Sequence, residues 1–113
     1  SVALWGSGTP LREFMYVDDL ADACLFLMRS YDENKPINVG SGEEVSISGL
    51  AALIAGIVGF KGEIVQDRAK PDGTPRKLLD TGKLKLLGWT PKTLLPDGLK
   101  KTYDDYCRSL QVH

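Results

Sequence analysis

Histidine occurs once in the 113 residues, as His113 at the very end. Ser-His-Asp and Cys-His catalytic arrangements need an imidazole held in a fixed place, and a fraying terminus does not supply one. Cysteine is scarce too. Cys24 and Cys107 are too few for a disulfide framework and too far apart for a zinc spacing, so free thiols of a reducing compartment are expected. No apolar run approaches the roughly 20 residues that cross a bilayer, and no charged-then-apolar leader opens the chain. Neither sign of charge dominates: 14 Lys and Arg face 15 Asp and Glu, a net charge of −1. That balance argues against the basic face of a nucleic-acid binder and against an overall pull toward anionic membranes. A cytoplasmic, soluble domain with no nucleic-acid or membrane partner is the expectation.

With 42% hydrophobic and 26% charged residues, the chain has the makings of one globular domain. Val2 to Trp5 reads as a short strand entering turn chemistry at Gly6 through Pro10. Arg12 to Val17 alternates like a strand covered on both faces. Asp18 or Asp19 then caps a helix whose apolar stripe is Leu20, Ala23, Cys24, Leu27 and Met28; Cys24 is expected there as a small core residue. Ile37 to Val39 reads as a brief strand. Ser46 caps a second helix with Ile47, Leu50, Ile54, Ile57 and Val58 inward and Gly59 as its stop. Gly49 and Gly56 weaken that helix by about 1 kcal/mol each relative to Ala, so it must lean on packing. A strand follows at Glu63 to Gln66, a short helix starts at Asp80 or Thr81, and Asp97 caps a last helix carrying Leu99, Tyr103, Tyr106 and Leu110. The order of strands and helices predicts an α/β or mixed layered unit.

Three motifs invite chemistry and fail on inspection. Gly6-Ser7-Gly8 and Gly40-Ser41-Gly42 lack the third glycine of a dinucleotide fingerprint, since Leu11 and Val45 stand there, and turns are the simpler reading. Tyr31 and Lys35 have the spacing of a short-chain dehydrogenase pair, but Asp32, Glu33, Asn34 and Pro36 make the stretch a loop, not the helix such a pair needs.

The segment from Lys70 to Lys77 carries more. It holds three cations and one carboxylate between two prolines and a glycine, so it presents charge from a stiffened backbone and loses little entropy on binding. Arg12 follows a second Gly/Pro turn at the start of a strand, where α/β proteins place ligand contacts. If the two loops meet, Arg12 and Lys77 form a planar fork and a point charge suited to a diphosphate. Asp72 can then accept bonds from a ribose diol, and Trp5 can stack beside a base or sugar. A solvated basic loop is the plainer alternative.

Trp5-Gly6-Ser7-Gly8-Thr9-Pro10-Leu11-Arg12-Glu13-Phe14 with Val17-Asp18-Asp19, and Ile37-Asn38-Val39-Gly40-Ser41-Gly42, resemble landmarks of the extended short-chain dehydrogenase/reductase family of nucleotide-sugar enzymes. Lys70-Pro71-Asp72-Gly73-Thr74-Pro75-Arg76-Lys77-Leu78 is similar to the GDP-L-fucose synthase branch of that family in particular. The resemblance covers nearly the whole chain and corresponds to the C-terminal third of such enzymes. It implies a small mixed α/β substrate-binding domain over 1–113, with the Rossmann half absent. It also implies GDP-sugar binding by Trp5, Arg12, Asp72 and Lys77, with Arg12 and Lys77 on the phosphates. In the parent, NADPH, the Tyr-Lys pair and the epimerising cysteine and histidine belong to the other domain, so no catalytic or cofactor-binding residue is expected here. The parent is expected to be a cytoplasmic homodimer. Cys24 and His113 fall on no matching motif, and Gly49 stands where a carboxylate is common. The other reading is a stand-alone nucleotide-sugar-binding or assembly module without catalysis.

Overall fold

Two small sheets and four helices make up the fold, a computed structural model describing residues 1–111; His113 lies outside the described residues. In chain order the elements are β1 (Val2–Trp5), β2 (Leu11–Glu13), α1 (Val17–Ser30), β3 (Glu44–Ser46), α2 (Ile47–Val58), β4 (Ile64–Asp67), α3 (Gly82–Leu87) and α4 (Leu95–Gln111). β1 and β4 run parallel, with Val2 opposite Ile64 and Trp5 opposite Asp67. β2 and β3 run antiparallel, with Leu11 opposite Ser46 and Glu13 opposite Glu44. The mixed α/β expectation holds. Among the described residues no helix is long and apolar enough to cross a membrane.

Most strands are shorter than, or shifted from, their sequence pattern. The alternation from Arg12 to Val17 becomes ladder only at Leu11–Glu13, because β3 offers just three residues to pair with. Ile37 and Val39 pack against the core as expected, yet no strand lies alongside to make a ladder. Instead the Asn38 amide donates to the Asp80 carbonyl at 3.2 Å. The expected strand at Glu63 to Gln66 sits one residue later, at Ile64–Asp67.

Helix ends follow their local chemistry with two corrections. Ser46 caps α2 as expected, its Oγ accepting from Gly49 N–H at 3.0 Å, and Gly59 ends it in the left-handed region at φ 75°. α1, however, starts at Val17 with Tyr16 ahead of it, so neither Asp18 nor Asp19 is the cap. Both lie in the first turn, where a carboxylate complements the helix dipole. α4 starts at Leu95, ahead of the expected cap Asp97, since Pro96 fits a first turn that needs no N–H from it.

Ala23, Leu84 and Trp89 form the buried core, joined by Met15, Phe26, Leu27, Ile37 and Val39. The expected α1 stripe is therefore only partly inward. Leu20, Cys24 and Met28 are exposed, because α1 is apolar on two sides and this core takes the side of Ala23, Phe26 and Leu27. Ile54 and Val58 of α2, and Tyr106 and Leu110 of α4, are likewise more open than their spacing implied. Polar clamps tie the core to its surroundings. Trp89 Nε1–H donates to Asp22 Oδ2 at 2.9 Å, and Lys92 Nζ lies 3.1 Å from the same oxygen. Together they hold the Asp22 carboxyl below its usual range. Buried Asp19 accepts from the Thr93 N–H at 3.0 Å and its hydroxyl at 3.2 Å, fixing the approach to α4.

Candidate functional site

The turn after β1 and the strap after β4 are brought together along their length. β1 delivers Trp5 to its edge, and Gly6 N–H bonds the Asp67 carbonyl at 2.9 Å. Gly6 and Gly8 take φ of 80° and 77°, a region that side chains other than hydrogen disfavour. Space compounds the requirement at Gly8, where a Cβ would stand 3.0 Å from Ser48 Cβ. Ser48 N–H and Ile47 N–H, at the start of α2, donate to the carbonyls of Gly8 and Pro10 at 2.9 and 3.0 Å. The turn is thus seated on the helix N-terminus.

The strap comes to that turn at three points. Ser7 donates to Asp72 twice, from its N–H to Oδ1 at 2.8 Å and from its hydroxyl to Oδ2 at 2.7 Å. These bonds, the hydroxyl first, hold the Asp72 carboxyl below its usual range. Gly73 lies under the Arg12 guanidinium, so close that a Cβ there would be 2.9 Å from Nη2. Leu11 N–H donates to the Pro75 carbonyl at 2.8 Å, and Leu11 pairs with Arg76 in a one-residue parallel bridge. Arg76 in turn pairs with Glu44 of β3 through Nε at 2.6 Å and Nη2 at 2.5 Å.

Each predicted site residue can now be placed. Arg12 is half-buried, braced by a bond from Nη1 to its own neighbour's carbonyl, Leu11 O, at 2.7 Å. It has no carboxylate partner among the described residues. It is also the one Lys or Arg among them that is not exposed. Lys77 follows Arg76 of the one-residue Leu11–Arg76 bridge as Arg12 follows Leu11, and the pairing stops at that bridge. Lys77 is exposed and makes no ion pair among the described residues. Trp5 is 70% exposed, with Lys70 Nζ 5.3 Å from its ring centre, the reach of a cation–π contact. Asp72 is committed to Ser7 with one lone pair on each oxygen, and the remaining lone pairs stay available.

Sequence reasoning missed Ser7, Glu44 and Arg76 as parts of the site. Ser7 looks like any turn residue, and β3 is too short to announce where Glu44 points. A cleft of about 440 Å³ lies elsewhere, between Phe14–Tyr16, Ser41–Glu44 and Thr90–Leu99. It touches this site only at Glu44, whose Oε2 is buried without a partner.

The glycine pairs do not build a dinucleotide loop. Gly6 and Gly8 turn β1 into β2, and Gly40 and Gly42 lead to β3; in neither place does a strand feed straight into a helix across the glycines. Tyr31 is the residue after α1, its hydroxyl donating to the Lys35 carbonyl at 2.7 Å, a loop closure and not a helical pair. Both cysteines are free, Cys24 exposed and Cys107 half-buried. No group of three or more His, Cys, Asp or Glu suited to a metal ion occurs among the described residues.

Known proteins share this layout. Residues 1–40 match the NAD dependent epimerase/dehydratase family. GDP-L-fucose synthase 1 of Arabidopsis thaliana is 56% identical over 109 residues, covering 96% of this chain and 34% of that protein. GDP-L-fucose synthase of Sinorhizobium fredii is 52% identical over 105 residues, covering 93% and 33%. A solved GDP-L-fucose synthetase from Naegleria fowleri with NADP bound superposes at a TM-score of 0.90, with 31% identity over 96% of this chain and 35% of that one. The chain spans about a third of the length of each relative it matches. By motif, sequence and fold together, the chain resembles a stretch of about a third of the GDP-L-fucose synthases, and its first 40 residues carry the NAD dependent epimerase/dehydratase match.

Proposed function

We propose that this chain is the GDP-sugar-binding part of an enzyme that converts GDP-4-keto-6-deoxy-D-mannose to GDP-L-fucose, by 3,5-epimerisation and NADPH-dependent 4-reduction. One observation carries the reading. Arg12 is a half-buried guanidinium with no carboxylate to neutralise it among the described residues, and it follows the residue that a backbone bridge joins to the strap. A partly desolvated cation without an internal partner is a site for an external anion. Arg12 offers a planar fork and Lys77 a mobile point charge, a pair that spans two adjacent phosphoryl groups. Trp5 supplies a broad exposed face for the base or sugar, and Asp72 retains acceptor capacity for the ribose hydroxyls.

In this reading NADPH is bound by other parts of the parent. There it supplies the hydride for the reduction at C4. What this chain contributes is grip and orientation of the nucleotide sugar, acting in ground and transition states alike. On its own it is expected to give no turnover with NADPH and the keto sugar. The relatives cited above are named as synthases, which favours the enzyme reading over the stand-alone module.

Calorimetric titration tests the reading directly. GDP should bind the chain and UDP should bind it more weakly, since a site for GDP sugars selects the purine. Equal affinity for the two, or no heat with GDP, would overturn it.

A further inference from the structure

We propose that Ser7 is a positioning residue for this site: by holding Asp72 it pins the middle of the 70–77 strap, at Gly73, beneath Arg12. The inference rests on the GDP-sugar reading above and adds to it a residue outside the four expected contacts.

The geometry is that of a clasp. Both Asp72 oxygens are taken by a single residue, Ser7, through its N–H at 2.8 Å and its hydroxyl at 2.7 Å. The hydroxyl gives its one proton to Asp72, so the neighbouring Thr9 hydroxyl, 2.8 Å away, must donate to Ser7 and not receive from it. Thr9 N–H points at the same oxygen at 3.3 Å. Ser7 is thereby oriented toward the strap from its own side of the turn. Gly6 completes the fit. Its φ of 80° is one that a side chain disfavours, and a Cβ at Gly6 would collide with the Asp72 carboxylate.

Among the described residues the strap is held at three places. At its far end the Leu11–Pro75 hydrogen bond and the Arg76–Glu44 pair secure it. Between Lys70, turned back onto the Asp67 carbonyl at 3.1 Å, and Pro75, the clasp is the attachment. Gly73 lies one residue past it, under the Arg12 guanidinium. Releasing Asp72 frees Gly73 to swing away, and Arg12 loses the floor that keeps its fork aimed. Ordering that segment at the moment of binding then weakens the complex. Ser7 acts through Asp72 and the strap, with no contact to substrate required of it.

The experiment compares the unaltered chain with Ser7→Ala, Ser7→Thr and Asp72→Asn. Each is treated with trypsin, whose targets Arg76 and Lys77 lie in the strap, and each is titrated with GDP. Cleavage of a transiently opened segment tracks the population of its open form. Ser7→Ala and Asp72→Asn should be cut in the strap several-fold faster at unchanged helical circular dichroism, while Ser7→Thr, which keeps the hydroxyl, should be cut as slowly as the unaltered chain. GDP affinity should fall about three- to tenfold in Ser7→Ala and return in Ser7→Thr. Unchanged cleavage in Ser7→Ala overturns the clasp. Faster cleavage with unchanged GDP affinity overturns the positioning role. Faster cleavage in a chain that never bound GDP supports the clasp and overturns the GDP-sugar reading instead.

Discussion

Replacing Arg12 by Met tests the anion site at its centre. Met keeps an unbranched apolar stem of similar reach and removes the guanidinium. What is lost is a charge-assisted contact to phosphate, since the native fork makes only its bond to the Leu11 carbonyl, at 2.7 Å, and no ion pair. Hydrogen bonds to charged groups contribute about 1.5–3 kcal/mol, which converts to a roughly 10- to 150-fold weaker Kd for GDP. Arg12→Lys separates charge from shape. It retains the cation but not the planar fork, so its loss should fall between the two, and raised salt should weaken the unaltered chain and Arg12→Lys more than Arg12→Met. The assay is calorimetry with GDP and guanosine in parallel. Guanosine carries no phosphate, so its affinity should be the same in all three proteins. Equal losses for GDP and guanosine would mean that the substitution disturbs the fold or the base pocket, and the phosphate assignment would fall.

Two further outcomes follow from contacts away from Arg12. Asp19→Ala strands the Thr93 N–H and hydroxyl and should destabilise the chain by about 2 kcal/mol, roughly 10 °C in Tm. Asp18→Ala, exposed in the same first turn, should cost no more than about 0.5–1 kcal/mol from the helix dipole, and equal Tm values for the two would refute the buried role of Asp19. Acid should undo the Asp72 clasp with a defined sign. The folded carboxyl lies below the ordinary 3.8, so its contribution is complete above that value and is lost as pH falls through the lower, folded value. An NMR titration of the Asp72 carboxyl should show a depressed midpoint that rises in Ser7→Ala; an ordinary midpoint in the unaltered chain would refute it.

Features set by neighbours in sequence were legible, and features set by distant partners were not. The Gly6–Pro10 turn, the Ser46 cap, the Gly59 stop and the loop nature of Tyr31–Lys35 all depend on residues within one turn of each other. β3 depends on β2, more than thirty residues earlier, and its three residues carry no readable alternation. α1 is the most instructive miss. Its sequence is apolar on two sides, and periodicity cannot say which side meets Trp89. The packing of Ala23, Phe26 and Leu27 around that ring left Leu20, Cys24 and Met28 outside. The caps of α1 and α4 shifted because Asp19 had a stronger use, bonding Thr93 from within the first turn, and because Pro96 could enter the helix.

The site divides along the same line. Arg12 and the strap stand out because their punctuation is local: glycines and prolines on either side, and cations between them. The roles inside the strap are not local. Three cationic side chains share it, and the structure uses each differently, with Lys70 over the Trp5 ring, Arg76 on Glu44 and Lys77 exposed without an ion pair among the described residues. Composition could not separate them, because what separates them is whether a carboxylate lies within reach. Burial makes the distinction matter energetically. An exposed Lys without a partner is hydrated and costs little, so Lys77 alone would mean nothing. Arg12 is half-buried and has given up part of its hydration without gaining a countercharge. The fold tolerates that only if the gap is small or is filled by a bound anion, and it is this asymmetry between Arg76 and Arg12, not the number of positive charges, on which the proposed anion site rests.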